Sequence, residues 1–116
     1  MAIDKRFDVY FLDEARKFLL ELSNAEKEEI LADIQASTRV INTTLFKKLN
    51  KDIWEFRSKY NSRQFRMLAF WDKTQNALVI ATHGFIKKSQ KTPLKEIEKA
   101  EQIMRKYYMN LKYTTL

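Results

Sequence analysis

The period of apolar and polar positions changes along this chain, and the changes divide it into elements. Residues 6–11 alternate in part and predict a short first strand. Asp13 is placed to cap a helix in which Ala15, Phe18, Leu19 and Leu22 recur at helical spacing. Ser23-Asn24-Ala25-Glu26 has the form of a capping box and starts a second helix that buries Ile30, Leu31, Ile34 and Thr38. Two helices joined this tightly are expected to lie antiparallel. After Asn42-Thr43-Thr44 the period falls to two. Residues 53–60 put Trp54, Phe56 and Tyr60 on one face and Glu55, Arg57 and Lys59 on the other. Asn61-Ser62 is a turn, and residues 63–71 are the returning strand. A second turn spans residues 72–76. The apolar run 77–83 reads as a central strand ending at His83, and residues 84–92 as a loop. Thr92-Pro93 opens a last helix, whose Leu94, Ile97, Ala100, Met104 and Tyr108 share a face. The predicted order is β-α-α-β-β-β-α. Helices precede an antiparallel hairpin sheet, which defines an α+β class.

Composition narrows the possibilities. With 116 residues, 45% apolar content and no repeat or linker, the chain reads as one domain. No segment reaches the length of a membrane-spanning helix. The first ten residues carry charges of both signs and lack the apolar stretch of a secretory signal. Cysteine is absent and there is one histidine, which leaves no thiol chemistry and no zinc-ligand set and fits a reducing cytoplasm. No phosphate loop, dinucleotide fingerprint, H-E-x-x-H or paired acids for two-metal catalysis occur, so no cofactor and no metal is expected. The net charge of +7 is uneven. Residues 1–44 hold 6 basic and 9 acidic side chains, residues 45–92 hold 11 and 3, and residues 93–116 hold 5 and 3. A basic surface concentrated in mid-chain attracts nucleic acid first; a face that only keeps the protein soluble is the alternative.

The hairpin gives the sharpest inference. A turn centred on Asn61-Ser62 pairs residues whose numbers sum to 123, so Tyr60 faces Arg63 and Arg57 faces Arg66. Like charges directly opposed destabilise a sheet. Either an anion bound between the guanidiniums or a carboxylate such as Glu55 would offset this, and spacing alone leaves the two readings even. Lys87, Lys88 and Lys91 follow the central strand in what reads as a loop on a rigid frame, next to His83, which titrates near neutrality. Solvated lysines and a structural histidine are the competing readings. Lys47, Lys48 and Lys51, interleaved with Phe46 and Leu49, could track a nucleic-acid backbone or form a solvated connection. Trp54, Phe56 and Trp71 read as core. In the last helix the phase makes Tyr108 core and leaves Tyr107 freer to meet a ligand.

Three segments carry a resemblance: Trp54-Glu55-Phe56-Arg57, Phe65-Arg66-Met67-Leu68, and the string from His83 to Pro93, H-G-F-I-K-K-S-Q-K-T-P. Together they resemble the HigB-like, phage-associated branch of the RelE/ParE toxin superfamily, over roughly residues 5–109, with the tail beyond Met109 peripheral. The resemblance implies a curved antiparallel sheet, a toxin neutralised by a cognate helix-turn-helix antitoxin, and metal-free cleavage of mRNA, usually on the ribosome, with no membrane involved. It implies that Arg57 and Arg66 stabilise the phosphate and that Lys87 and Lys88 add charge or move a proton. It makes His83 a candidate base and Tyr107 a weaker candidate. Read from the residues alone, Lys47, Lys48, Lys51 and Lys91 are the candidate RNA contacts. Two other functions remain open: a gyrase-poisoning toxin of the ParE kind, which is not an enzyme, and a phage-related RNA-binding regulator without toxicity.

Overall fold

A computed structural model describes the backbone of residues 4–114 and the side chains of residues 4–111. Its elements are β1 (Asp8–Phe11), α1 (Asp13–Leu20), α2 (Asn24–Ser37), β2 (Phe46–Lys48), β3 (Ile53–Tyr60), β4 (Arg63–Trp71), β5 (Leu78–Lys87) and α3 (Leu94–Thr114). The α+β class holds, with one strand more than the pattern predicted. The five strands form a sheet in the order β1-β5-β4-β3-β2. Three neighbouring pairs are antiparallel, but β1 lies parallel to β5, with Asp8 opposite Leu78, so the sheet is mixed.

Local chemistry explains most of the boundaries. Ser23 Oγ accepts from the Glu26 amide and Glu26 Oε1 accepts from the Ser23 amide, which completes the capping box of α2. Asp13 does not cap α1. Leu12 holds that position, and Asp13 sits in the first turn paired with Arg16. The β3–β4 turn places Asn61 and Ser62 at φ 48° and 66°, the left-handed pair that a two-residue hairpin of right-twisted strands requires. Thr92 and Pro93 precede α3, and the Pro93 carbonyl accepts from the amides of Glu96 and Ile97.

Helices cover both faces of the sheet. On one face, α1 packs on β5 and α2 on β3, so each helix has the sheet as its main partner. There Phe7, Leu19, Ile30, Ile34, Phe56 and Met67 form a core joined by Trp54 and Trp71. Phe46 stacks on Phe56 with ring centroids 4.3 Å apart, which pins β2 to β3. Trp54, Phe56 and Trp71 are thus core residues. Leu31, expected inside, is exposed on α2 because its position faces away from the sheet. On the other face, α3 lays Ile97, Ala100, Met104, Tyr107 and Tyr108 on Ile53, Leu68, Phe70 and Ile80. Leu94 is exposed at the start of α3 and does not join that stripe. The helix runs past Met109 to Thr114, and Thr115 and Leu116 lie outside the described residues, as do residues 1–3. No helix among the described residues is long and apolar enough to cross a membrane.

One irregularity decides what reaches the α3 face. Leu68 pairs with His83 but Ala69 pairs with Ala81, so Thr82 is an extra residue in β5. Its hydroxyl donates to the Leu68 carbonyl at 3.1 Å. Such a bulge reverses the parity of all that follows in its strand. His83, Phe85 and Lys87 consequently share the face of Leu68, Arg66 and Gln64, and Gly84 turns to the α1 side. A Cβ at Gly84 would lie 2.3 Å from Phe18 Cδ2, so only glycine fits beneath that ring.

Candidate functional site: a cationic cluster beside the hairpin

The α3 core covers the half of its sheet face that lies away from the β3–β4 turn. Toward the turn the same face carries charge. Arg57 and Arg66 are direct cross-strand partners, as the turn position required, and Gln64 is opposite Lys87. Lys47, opposite Glu55 on β2, is on this face too, whereas Lys48 alternates to the other. Residues 84–87, expected as loop, continue β5, which is why Lys87 has a fixed direction.

Glu55 organises the cluster. It is 3% exposed and follows the same alternation as Arg57. Its Oε1 lies 3.4 Å from Arg66 Nε and its Oε2 lies 3.7 Å from Arg57 Nε. The Thr92 hydroxyl donates to Oε1, so the segment before α3 is tied to the cluster. That bond, rather than a helix cap, is the role of Thr92. Arg66 is likewise 3% exposed; its terminal nitrogens donate to the Phe65 carbonyl and to Gln64 Oε1, both at 2.9 Å. The Nε–H groups of Arg57 and Arg66 are buried with no hydrogen-bond acceptor. Of the two resolutions open from the sequence, the carboxylate is therefore the one in place: Glu55 sits between the arginines and faces both Nε–H groups.

Burial lowers the Arg66 pKa, with Glu55 opposing and Arg57 reinforcing that shift. The Lys87 pKa is also lowered, first by burial and then by the positive charge of Arg66. A lysine eased toward its neutral form can exchange a proton with a ligand. Lys88 and Lys91 are exposed beyond the end of β5, and Lys51 is exposed in the β2–β3 connection.

Two candidates lie apart from this cluster. His83 is buried, its Nδ1 3.1 Å from Thr82 Oγ1 and its Nε2 3.1 Å from Glu96 Oε1 on α3. Burial lowers its pKa, which the bond to Glu96 only partly offsets. The Tyr107 hydroxyl donates to Asp72 Oδ2, at the far end of β4 from Arg66, and burial followed by that bond raises its pKa. Tyr107 is as firmly held as Tyr108, whose hydroxyl donates to the Trp71 carbonyl. Six residues separate Arg66 from Asp72, about 20 Å along a strand. A groove of about 760 Å³ lies at that end, between β1 and α3, lined by Tyr10, Leu12, Ile80, Ile103 and Tyr107. Among the described residues no three His, Asp or Glu side chains are grouped to hold a metal ion.

In the sequence Glu55 stands out only as a possible counterion, and Gln64 does not stand out at all. The available signal was Glu55 itself, the sole acid in residues 53–71, two positions from Arg57 and hence on its face.

Fold and cluster together define a small α+β protein that presents paired arginines and a perturbed lysine on one end of a sheet. Residues 17–105 match the family model described as Phage derived protein Gp49-like (DUF891), and the chain belongs to that family. No curated protein matches it.

Proposed function

We propose that this chain is the toxin of a toxin–antitoxin pair and acts as a metal-independent endoribonuclease on mRNA, with the ribosome presenting the substrate. The observation that carries the reading is the direct cross-strand pairing of Arg57 with Arg66 on the sheet face that also carries Lys87 and Lys47. Membership of a phage-derived family supports it, as does the resemblance of three motif segments to HigB-like toxins.

The chemistry follows from the charges. The RNA 2′-oxygen attacks the adjacent phosphorus and the bond from phosphorus to the 5′-oxygen breaks. This leaves a 2′,3′-cyclic phosphate and a 5′-hydroxyl. One proton leaves the 2′-OH and one reaches the departing oxygen. Arg57, a third exposed, meets the phosphate oxygens as negative charge builds on them, and the buried Arg66 behind it adds its positive field. Lys87, on the same face, is the group that moves a proton in this reading. DNA lacks the 2′-OH and cannot follow this path. The antitoxin is expected to be a helix-turn-helix protein acting in the cytoplasm, with an acidic segment suited to the cationic cluster.

Brief induced expression followed by mapping of mRNA 5′ ends tests this. New ends inside coding regions, absent from Arg57→Ala and Lys87→Ala, are expected. Arg57 is preferred to Arg66 for the test because its side chain is 31% exposed and its loss disturbs the fold less. Growth arrest with intact mRNA would overturn the reading in favour of gyrase poisoning; absence of arrest would favour a binding module.

A further inference from the structure

We propose that the groove opening from the arginine pair toward α2 is a base-recognition pocket selective for guanine. This rests on the ribonuclease reading for its biological meaning but makes its own physical prediction. The Arg57 amide donates to the Leu45 carbonyl at 2.8 Å, and β2 extends no nearer the turn than Phe46. Beyond that point the edge of β3 faces a groove of about 430 Å³, a volume suited to one nucleotide. Arg57, Arg66 and Gln64 line it on one side, and Ser58, Glu29 and Asp33 on the other.

The polar groups are not interchangeable. Ser58 Oγ donates to Asp33 Oδ2 at 2.6 Å, which fixes that carboxylate and leaves Oδ1 as an acceptor. Gln64 Oε1 already accepts from Arg66, so its amide nitrogen remains to donate. Glu29 contributes a second carboxylate one helical turn from Asp33 on α2. With a phosphate at Arg57, the attached base reaches round the β3 edge to the Asp33 and Glu29 carboxylates, while Gln64 and Lys59 stay with the phosphate on the arginine side. Guanine alone presents two adjacent N–H donors, at N1 and N2, next to a carbonyl acceptor at O6. Uracil offers one N–H between two carbonyls, which the carboxylates repel. Adenine and cytosine each offer an amino donor beside a ring nitrogen acceptor. Carboxylates that serve only as general surface charge would show no such ranking.

The test titrates isotopically labelled protein with guanosine, adenosine, cytidine and uridine 3′-monophosphates, following the Gln64 side-chain and Ser58 backbone amides by NMR. Guanosine 3′-monophosphate is expected to bind about tenfold tighter than the others, the discrimination of one bidentate base contact. Asp33→Asn keeps an oxygen for Ser58 but presents donors to donors, and it should bring the four affinities together. Arg57→Ala should weaken all four alike. Equal affinities in the wild type, or a guanine preference that survives Asp33→Asn, would overturn the proposal. A guanine preference without induced mRNA ends would sink the ribonuclease reading and leave the pocket standing. Induced ends with no neighbouring guanine bias, alongside equal nucleotide affinities, would do the reverse.

Discussion

Glu55→Gln isolates the electrostatics of the cluster. The substitution keeps the size of the side chain and an oxygen for Thr92, removes the charge between Arg57 and Arg66, and turns one acceptor there into an NH2 donor. Removing one partner of a buried ion pair costs about 3–5 kcal/mol, because the remaining charge stays desolvated. Arg66 is almost wholly buried, but Arg57 reaches solvent with a third of its side chain, which places the expected loss near the lower end, at about 3 kcal/mol. For a chain of this size that is a fall in Tm on the order of 10 °C. The arginines should then accept an external anion in place of the carboxylate. At a phosphate concentration about twenty times Kd, the variant regains about 1.8 kcal/mol by linkage, and the wild type gains less because Glu55 holds the position. Urea titrations in phosphate and in chloride of matched ionic strength separate binding from screening. If Glu55→Gln were as stable as the wild type, or if phosphate and chloride acted alike on it, the clamp reasoning would be refuted.

Three further outcomes are expected. Gly84→Ala drives a methyl into Phe18 and should cost about 1–3 kcal/mol in urea unfolding; a neutral result would mean that the ring moves aside freely. Ser23→Ala removes half of the capping box and should cost about 1 kcal/mol, seen as a lower urea midpoint with an unchanged slope. His83 has a folded pKa below its ordinary value of 6.5, so the unfolded chain takes up its proton first as pH falls. Its contribution is present at neutral pH and is lost as pH falls below about 6.5 toward the folded pKa. His83→Gln should therefore flatten the decline in stability between about pH 7 and 5, and identical pH profiles for the two proteins would contradict the assignment.

What could be read from the sequence was local. The capping box at Ser23 and the two-residue turn at Asn61-Ser62 are set by neighbours in the chain, and the turn alone fixes the register from Tyr60–Arg63 back to Ile53–Phe70. The Arg57–Arg66 pairing followed without knowledge of any other element. Long-range effects were out of reach. Three residues of β2, two of them lysines, carry no strand signal of their own; they pair because Phe46 finds Phe56 and Trp54 in the core. The parallel docking of β1 depends on β5, seventy residues away. Tyr107 looked free from helical phase because nothing in α3 reveals that Asp72 waits across the sheet.

The candidate site shows the same division, and Thr82 is the residue on which it turns. Read as uniform alternation, β5 from Ile80 would send His83, Phe85 and Lys87 toward α1 and α2, into a core of Phe18, Phe65 and Met67. The hydrophobic run around Thr82 gives no hint of an extra residue, since both faces there are buried. The bulge is paid for by the Thr82 hydroxyl, which reaches the Leu68 carbonyl across the irregular pairing. Its effect is to put Lys87 on the face of Arg57 and Arg66, and the one residue without a side chain beneath Phe18. The glycine and the lysine of the H-G-F-I-K string are thus two sides of one geometric event. The bulge sets the glycine and the lysine, three residues apart, on opposite faces of one strand.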